Sequence, residues 1–135
     1  MVSGDFYFQP MQLEQLYTHY LASRGVTTDT RNIQSGSIFF ALKGERFNAN
    51  TFAAEALEKG AAYVVVDEIA DKTWKDQYGE RLIQVPDVLA TLQELAGYHR
   101  QQFTFPVLAI TGSNGKTTTK ELVAAVLCKK YQTAF

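Results

Sequence analysis

Three short apolar runs, separated by stretches with helical spacing, constrain the fold of this chain more than any other feature. They occupy residues 38–42, 62–66 and 82–85, and they have the length and the β-branched and aromatic content of buried strands. The stretch between the first two runs has helical spacing and ends at Gly60. A shorter strand is predicted at residues 26–28. A strand, a helix and a second strand in this order predict a βαβ unit, and therefore an α/β fold.

Helical periodicity also predicts the elements on either side of these runs. Residues 10–22 and 88–102 carry apolar side chains at helical spacing, and Asp87 is a suitable N-cap for the second of these helices. For the helix between the first two runs, Asn50 or Thr51 is the expected N-cap. Hydrophobic residues make up 46% of the 135 residues, with nine Phe and seven Tyr, which is enough to bury a core and excludes a disordered chain.

The charge changes sign near residue 104. Residues 1–104 hold nine basic and thirteen acidic side chains, a net charge of −4, whereas residues 105–135 hold four basic and one acidic, a net charge of +3. The break at residues 103–106, which contain a proline, predicts two domains, 1–104 and 105–135. The overall net charge of −1 gives no electrostatic footprint for binding nucleic acid.

Cysteine content and hydropathy bear on the location of the protein. The single cysteine, Cys128, cannot form an internal disulfide, and we expect it to be a small core residue. No apolar run approaches the roughly 20 residues of a membrane span, and no signal peptide is recognisable. We therefore expect a cytoplasmic monomer without membrane insertion. His19 and His99 are expected to be structural.

A glycine-rich loop with a lysine carries the sharpest chemical signal. Residues 111–118, Thr-Gly-Ser-Asn-Gly-Lys-Thr-Thr, follow a predicted strand at 107–110 and open a predicted helix at 116–130. Glycines let the backbone turn tightly, and the first amides of the helix point at phosphate oxygens. Lys116 supplies positive charge for the β- and γ-phosphates of a nucleotide, and the Thr117 hydroxyl is placed to ligate Mg²⁺. The alternative is a glycine-rich turn with an incidental lysine.

The loop departs from a standard phosphate-binding loop, because Ile110 stands where the first glycine is expected. In its shortened form, Gly-x-x-Gly-Lys-Thr, it resembles the Mur ligase family. Two upstream segments support the resemblance: Asp-Thr-Arg at 29–31, and Gly-Ser-Ile-Phe-Phe-Ala-Leu at 36–42, similar to the family's Asp-Ser-Arg and Gly-Asp-x-Phe-x-Ala-Leu. The resemblance runs from about Thr28 to Tyr131 and is strongest to the branch that adds D-alanyl-D-alanine.

The resemblance implies a function and an architecture. It implies a small N-terminal substrate domain with a mixed sheet flanked by helices, followed by the first strand, phosphate loop and helix of an ATPase domain. The implied activity belongs to peptidoglycan precursor synthesis: ATP and Mg²⁺ activate a carboxylate of UDP-N-acetylmuramoyl-tripeptide as an acyl phosphate, which the amine of D-alanyl-D-alanine displaces. Residues 1–135 alone are expected to lack turnover, because the rest of the ATPase sheet, further Mg²⁺ ligands and an amine-binding domain are absent from them.

The resemblance also carries over site residues. Lys116 would be catalytic by stabilising charge on the transferring phosphoryl group, and Thr117 would be the metal ligand. The implied nucleotide-binding residues are Gly112, Ser113, Asn114, Gly115, Lys116, Thr117 and Thr118. The implied nucleotide-sugar residues are Thr30, Arg31, Gly44, Glu45, Arg46, Phe47 and Asn48. Asn-Ala-Asn at 48–50 departs from the family's Asp-Gly-His.

Three alternatives remain open at the level of the sequence. The chain could belong to a branch that adds a single amino acid, could act as an isolated nucleotide-sugar binding module, or could be an unrelated small nucleotide-binding protein. The sequence also leaves open whether the third residue of the acceptor peptide is diaminopimelate or lysine.

Overall fold

A four-stranded sheet forms the centre of the first of two units in the computed structural model, which describes residues 10–134 and the side chains from residue 13 onward. Its strands, all parallel and adjacent in sequence order, are β1 (Val26–Thr27), β2 (Ile38–Phe40), β3 (Tyr63–Val66) and β4 (Leu82–Gln84). The α/β class is confirmed. The expected mixed sheet is wrong for these strands. Each connection returns the chain to the end of the sheet where the previous strand began, so all four strands run in the same direction.

Helices cover both faces of the sheet, which explains why its two central strands, β2 and β3, are apolar and largely buried. One face packs against α1 (Pro10–Ala22) and α4 (Val88–Gln101), and the other packs against α2 (Ala53–Glu58) and α3 (Thr73–Tyr78). Strands buried on both sides have no polar face, so their sequences show continuous rather than alternating hydrophobicity. The first face holds Leu16, Ile38, Phe40, Val65, Val85, Val88 and Leu95; the second holds Phe39, Ala53, Ala56, Leu57, Val64, Val66 and Leu82.

The predicted elements of this unit are confirmed, but α3 was not predicted from the sequence, and the start of α2 differs. A 3-10 helix (Ala49–Phe52) precedes α2, and Asn48 caps it by accepting a hydrogen bond from the Asn50 backbone N–H at 3.0 Å. The prediction of Asn50 or Thr51 as the cap is therefore wrong. Asn50 is unavailable as a surface cap because it is buried, at 1% exposure. Gly60 follows the end of α2 with a φ of 101°, a conformation that favours glycine.

Both histidines pack against aromatic rings. His19 stacks on Tyr63 with ring centroids 4.1 Å apart, and His99 Nδ1 lies 3.1 Å from the hydroxyl of Tyr17. These contacts agree with the structural role expected for both. Among the helices of the described residues, none combines the length and the apolar character that crossing a membrane requires.

The second unit, beginning at Thr104, contains α5 (Lys116–Leu127). The predicted strand at 107–110 is wrong: these residues form no strand, because no described segment of the chain pairs with them and an unpaired strand has no ladder of hydrogen bonds. Val107 and Leu108 are exposed. The expectation that Cys128 is a core residue is also wrong, since it is exposed just after α5.

The N-cap of α4 provides a test of the fold. The Asp87 carboxylate accepts a hydrogen bond from the Ala90 backbone N–H at 2.7 Å, which satisfies one of the free amides in the first turn. We expect Asp87→Ala to lower the free energy of unfolding of the first unit by about 1 kcal/mol, measured by urea denaturation, whereas Asp87→Asn retains most of it. An unchanged unfolding midpoint in D87A would show that the cap contributes nothing.

Candidate functional site

The predicted nucleotide-sugar residues all follow strands of the sheet at one edge. Thr30 and Arg31 come after β1, and the predicted residues 44–48 come after β2. Together with Lys43 they form residues 43–48, which we call the substrate loop. Because the strands are parallel, their carboxyl ends share one edge, which we call the carboxyl edge. In open α/β sheets, ligands bind in the crevice outside the carboxyl ends of the strands. The fold therefore places the two predicted segments on neighbouring strands of the edge where a ligand is expected.

An ion pair shapes the segment after β1. The Arg31 guanidinium donates from Nε to Asp29 Oδ1 at 2.9 Å and from Nη2 to Asp29 Oδ2 at 3.0 Å. This hydrogen-bonded pairing holds the pKa of Asp29 below its ordinary value and raises the pKa of Arg31. A guanidinium has five N–H donors, so three remain for another acceptor. Arg31 is exposed and keeps donors for an anionic ligand while Asp29 orients it.

Glu68 joins the two ends of the substrate loop. Its Oε1 pairs with Lys43 Nζ, and its Oε2 accepts a hydrogen bond from Asn48 Nδ2 at 3.0 Å. Lys43 and Asn48 also face each other as an antiparallel bridge. The hydrogen bond from Lys43 lowers the pKa of Glu68 most, and the hydrogen bond from Asn48 lowers it further. The hydrogen bond to Glu68 raises the pKa of Lys43. The loop is therefore closed at its base.

The middle of the substrate loop is open to solvent. The Gly44 backbone N–H donates to the Phe47 carbonyl at 2.8 Å, which folds the loop into a compact turn. Glu45 and Arg46 are exposed, and Arg46 makes no hydrogen bond or ion pair with any residue that the structure describes. Phe47 is 52% exposed and stacks on Phe52 with centroids 5.6 Å apart. The loop thus offers a guanidinium suited to phosphate oxygens and an aromatic face suited to a planar ring.

Sequence reasoning missed three residues of this edge, Asn50, Asp67 and Glu68. Asn50 Nδ2 donates to Asp67 Oδ1 at 2.6 Å, and this bond connects the end of the substrate loop to the end of β3. The position of Asp67 and Glu68 in the sequence could have identified them. Both immediately follow a buried apolar run, so they lie at the carboxyl edge if the strands are parallel.

The glycine-rich loop precedes α5 in the second unit. Gly115 is the N-cap residue of α5 with a φ of 74°, and it supplies no side chain to cap the first turn. The first amides of α5 are therefore left for an external acceptor. Lys116 Nζ folds back and donates to the Gly112 carbonyl at 2.5 Å, and residues 111–118 are exposed. Backbone amides, an ammonium and the Thr117 hydroxyl together form a donor set that fits nucleotide phosphates and their Mg²⁺.

Two further features of the described residues bear on where a ligand could bind. Within the described residues, no group of three or more His, Cys, Asp and Glu side chains could hold a metal ion. An open cavity of about 500 Å³ lies between α1 and β4, where Gln15, His19 and Gln84 contribute to its lining. None of the predicted site residues lines it.

Comparison with known proteins identifies the family. The pattern described as "Mur ligase family, catalytic domain" matches residues 23–100, more than half of the chain, and "Mur ligase middle domain" matches residues 110–135. The chain belongs to the Mur ligase family. The resemblance found from the residue motifs is thus confirmed.

Individual relatives and a solved structure agree with this membership. The UDP-N-acetylmuramoyl-tripeptide–D-alanyl-D-alanine ligase of Synechocystis sp. is 46% identical over 104 residues, covering 76% of this chain and 22% of that protein. The UDP-N-acetylmuramoyl-L-alanyl-D-glutamate–2,6-diaminopimelate ligase of Geobacter sulfurreducens is 39% identical over 107 residues, covering 78% of this chain and 20% of that protein. The crystal structure of the MurF ligase from Thermotoga maritima in complex with ADP matches with a TM-score of 0.65 and 32% identity, covering 82% of this chain and 24% of that one. The chain therefore spans about a quarter of the length of its relatives.

The Lys43–Glu68 pair makes the base of the substrate loop sensitive to pH. Because the pKa of Glu68 is lowered in the folded state, its stabilisation is present above the ordinary pKa of a glutamate and is lost as the pH falls through the lowered value. We expect Lys43→Met to raise the pKa of Glu68 toward its ordinary value, measured by carbon NMR of the carboxyl groups across a pH titration. Asp71 is the internal control: hydrogen bonds from Thr73 lower its pKa, and Lys43 does not contribute, so the pKa of Asp71 should be the same in K43M. Equal Glu68 titrations in K43M and the unaltered chain would contradict the pairing.

Proposed function

We propose that this Mur ligase chain is the amino-terminal part of an ATP-dependent ligase that joins D-alanyl-D-alanine to UDP-N-acetylmuramoyl-tripeptide. The observation that carries the proposal is the gathering of exposed donors on one sheet edge, in a chain that is 46% identical to a ligase of that name. In this account the first unit binds the nucleotide-sugar, and the second begins the nucleotide-binding domain.

The carboxyl edge would bind the uridine diphosphate part of the substrate. Arg46 and the three unused N–H groups of Arg31 would donate to the diphosphate, where a guanidinium forms paired hydrogen bonds. Phe47 would offer its exposed face to a ring of the ligand. Thr30, Gly44, Glu45 and Asn48 complete the proposed set of contacts on the same two segments.

The glycine-rich loop would bind ATP. The first amides of α5 would donate hydrogen bonds to the phosphates, and Lys116 would exchange its hydrogen bond with the Gly112 carbonyl for one with a phosphate oxygen. Thr117 would hold Mg²⁺, which would neutralise negative charge on the phosphates when bound. Gly112, Ser113, Asn114, Gly115 and Thr118 complete the loop around the phosphates.

These residues suit an amide-forming reaction driven by phosphoryl transfer. A substrate carboxylate would attack the γ-phosphate of ATP, which breaks the bond to the β-phosphate, releases ADP and gives an acyl phosphate. The incoming amine would then displace phosphate and lose a proton to form the amide. Lys116 would act by stabilising negative charge on the transferring group, not as a base, because its ammonium has no acceptor site. The groups that bind the amine would lie in a region of the whole protein that corresponds to the part of the relatives outside the match with this chain.

A diaminopimelate-adding ligase is the second candidate, because the Geobacter sulfurreducens enzyme of that name is 39% identical to this chain. The two candidates share the uridine diphosphate part of their substrates and differ in the acceptor peptide and in the amine that they add. Assaying the whole protein with each acceptor and its own amine separates them: UDP-N-acetylmuramoyl-tripeptide with D-alanyl-D-alanine, and UDP-N-acetylmuramoyl-L-alanyl-D-glutamate with diaminopimelate. Turnover of the second pair alone would overturn the first assignment.

Binding by the described chain tests the proposal directly. We expect calorimetry to detect binding of UDP-N-acetylmuramoyl-tripeptide, and we expect Arg46→Gln to weaken it about tenfold through loss of a charge-assisted hydrogen bond. Arg24→Gln is the matched control, because Arg24 is also exposed but precedes β1, at the opposite edge of the sheet. Absence of binding, or equal weakening by R24Q and R46Q, would contradict the proposed site.

A further inference from the structure

A buried amide lies beneath the substrate loop, and all of its hydrogen-bonding positions are used. Asn50 Nδ2 donates to Asn48 Oδ1 at 2.8 Å and to Asp67 Oδ1 at 2.6 Å. Its Oδ1 accepts from the backbone N–H groups of Asp67 at 3.2 Å and Glu68 at 3.5 Å. A side-chain amide has two N–H donors and two acceptor lone pairs, so the four bonds exhaust its capacity.

These four bonds connect segments that are distant in sequence. Asn48 closes the substrate loop after β2, whereas Asp67 and Glu68 leave the end of β3. The last pair of β2 and β3 in register is Phe40 with Val65, and one further backbone bond runs from the Ala41 N–H to the Val65 carbonyl at 2.9 Å. Beyond it, side-chain hydrogen bonds of Asn50 and Glu68 connect the two loops. Asn50 supplies that connection from the interior.

The connection extends outward to the surface through Glu68. Asn50 fixes the backbone of Glu68, and the Glu68 carboxylate then holds Lys43 and Asn48, the first and last residues of the substrate loop. The exposed residues between them, including Arg46 and Phe47, are carried on this closed base. A change at Asn50 would therefore reach the ligand-facing residues without contacting a ligand itself.

We propose that Asn50 is a positioning residue for nucleotide-sugar binding, and that its hydrogen bonds hold the substrate loop against the end of β3. The identity of the ligand rests on the proposed function. The effect of Asn50 on the position of the substrate loop does not depend on it. Loss of the amide would leave Asp67 Oδ1 and two backbone N–H groups without their partner, and groups so exposed recover hydrogen bonds by rearranging toward water. The loop would then sample several positions, and only a fraction would be competent to bind.

Asn50→Leu removes the four hydrogen bonds and keeps the branching of the side chain at Cγ. We expect the Kd for UDP-N-acetylmuramoyl-tripeptide to rise about tenfold, measured by calorimetry well below the unfolding temperature. We also expect faster hydrogen exchange at the Gly44 and Ala49 amides, which donate to the Phe47 and Leu42 carbonyls at 2.8 and 3.1 Å.

Thr91→Val is the matched control. Thr91 is as buried as Asn50, at 2% exposure, and its hydroxyl donates to the Asp87 carbonyl at 2.7 Å in the first turn of α4. T91V should lower stability while leaving both the Kd and the exchange of the substrate loop unchanged. Should N50L fail to fold, Asp67→Ala removes one of the same bonds and should give smaller changes in the same direction.

These outcomes distinguish the positioning role of Asn50 from the proposed binding of a nucleotide-sugar. Unchanged loop exchange in folded N50L or D67A overturns the positioning role, as does a change of equal size in T91V. If the unaltered chain binds no sugar nucleotide, the proposed function fails, and the exchange measurement still decides whether Asn50 holds the loop.

Discussion

Parallel pairing of short strands on either side of a buried central pair, β2 and β3, is the constraint on which the first unit depends. Each strand is only two to four residues long, so the ladder supplies few hydrogen bonds, and burial of apolar side chains on both faces must contribute most of the stability. The same parallel arrangement brings the ends of β1, β2 and β3 to one edge. Packing and the location of the site therefore have a common origin.

The carboxyl edge combines rigid and exposed parts. Asn50 is buried and fully hydrogen-bonded, whereas Arg46 and the outer face of Phe47 are open to solvent. A ligand that meets an ordered loop loses less affinity to the entropy of ordering it. The segment 48–50, which differs from the motif common in the family, is thus a structural part of this edge: Asn48 caps a helix and Asn50 joins two loops.

Local patterns predicted the elements, and contacts between distant residues decided the rest. Apolar runs and helical spacing were sufficient for the βαβ unit, and Asp87 was recognisable as a cap because its partner, Ala90, is three residues away. The role of Glu68 was hidden, since its partner Lys43 is 25 residues distant. The segment 107–110 has the composition of a strand, but a strand also needs a partner, which composition does not reveal. The glycine-rich loop forms locally, as the Gly115 conformation at the start of α5 shows.

The carboxyl edge of the sheet is the proposed binding site for a nucleotide-sugar. Amide chemical-shift changes in the isotope-labelled chain, followed during titration with UDP-N-acetylmuramoyl-tripeptide, can locate the bound ligand. We expect the shifts to concentrate at Arg31, at the substrate loop and at Glu68. Shifts confined to the opposite edge, around Gly36 and Gly60, or to the cavity between α1 and β4 would contradict it.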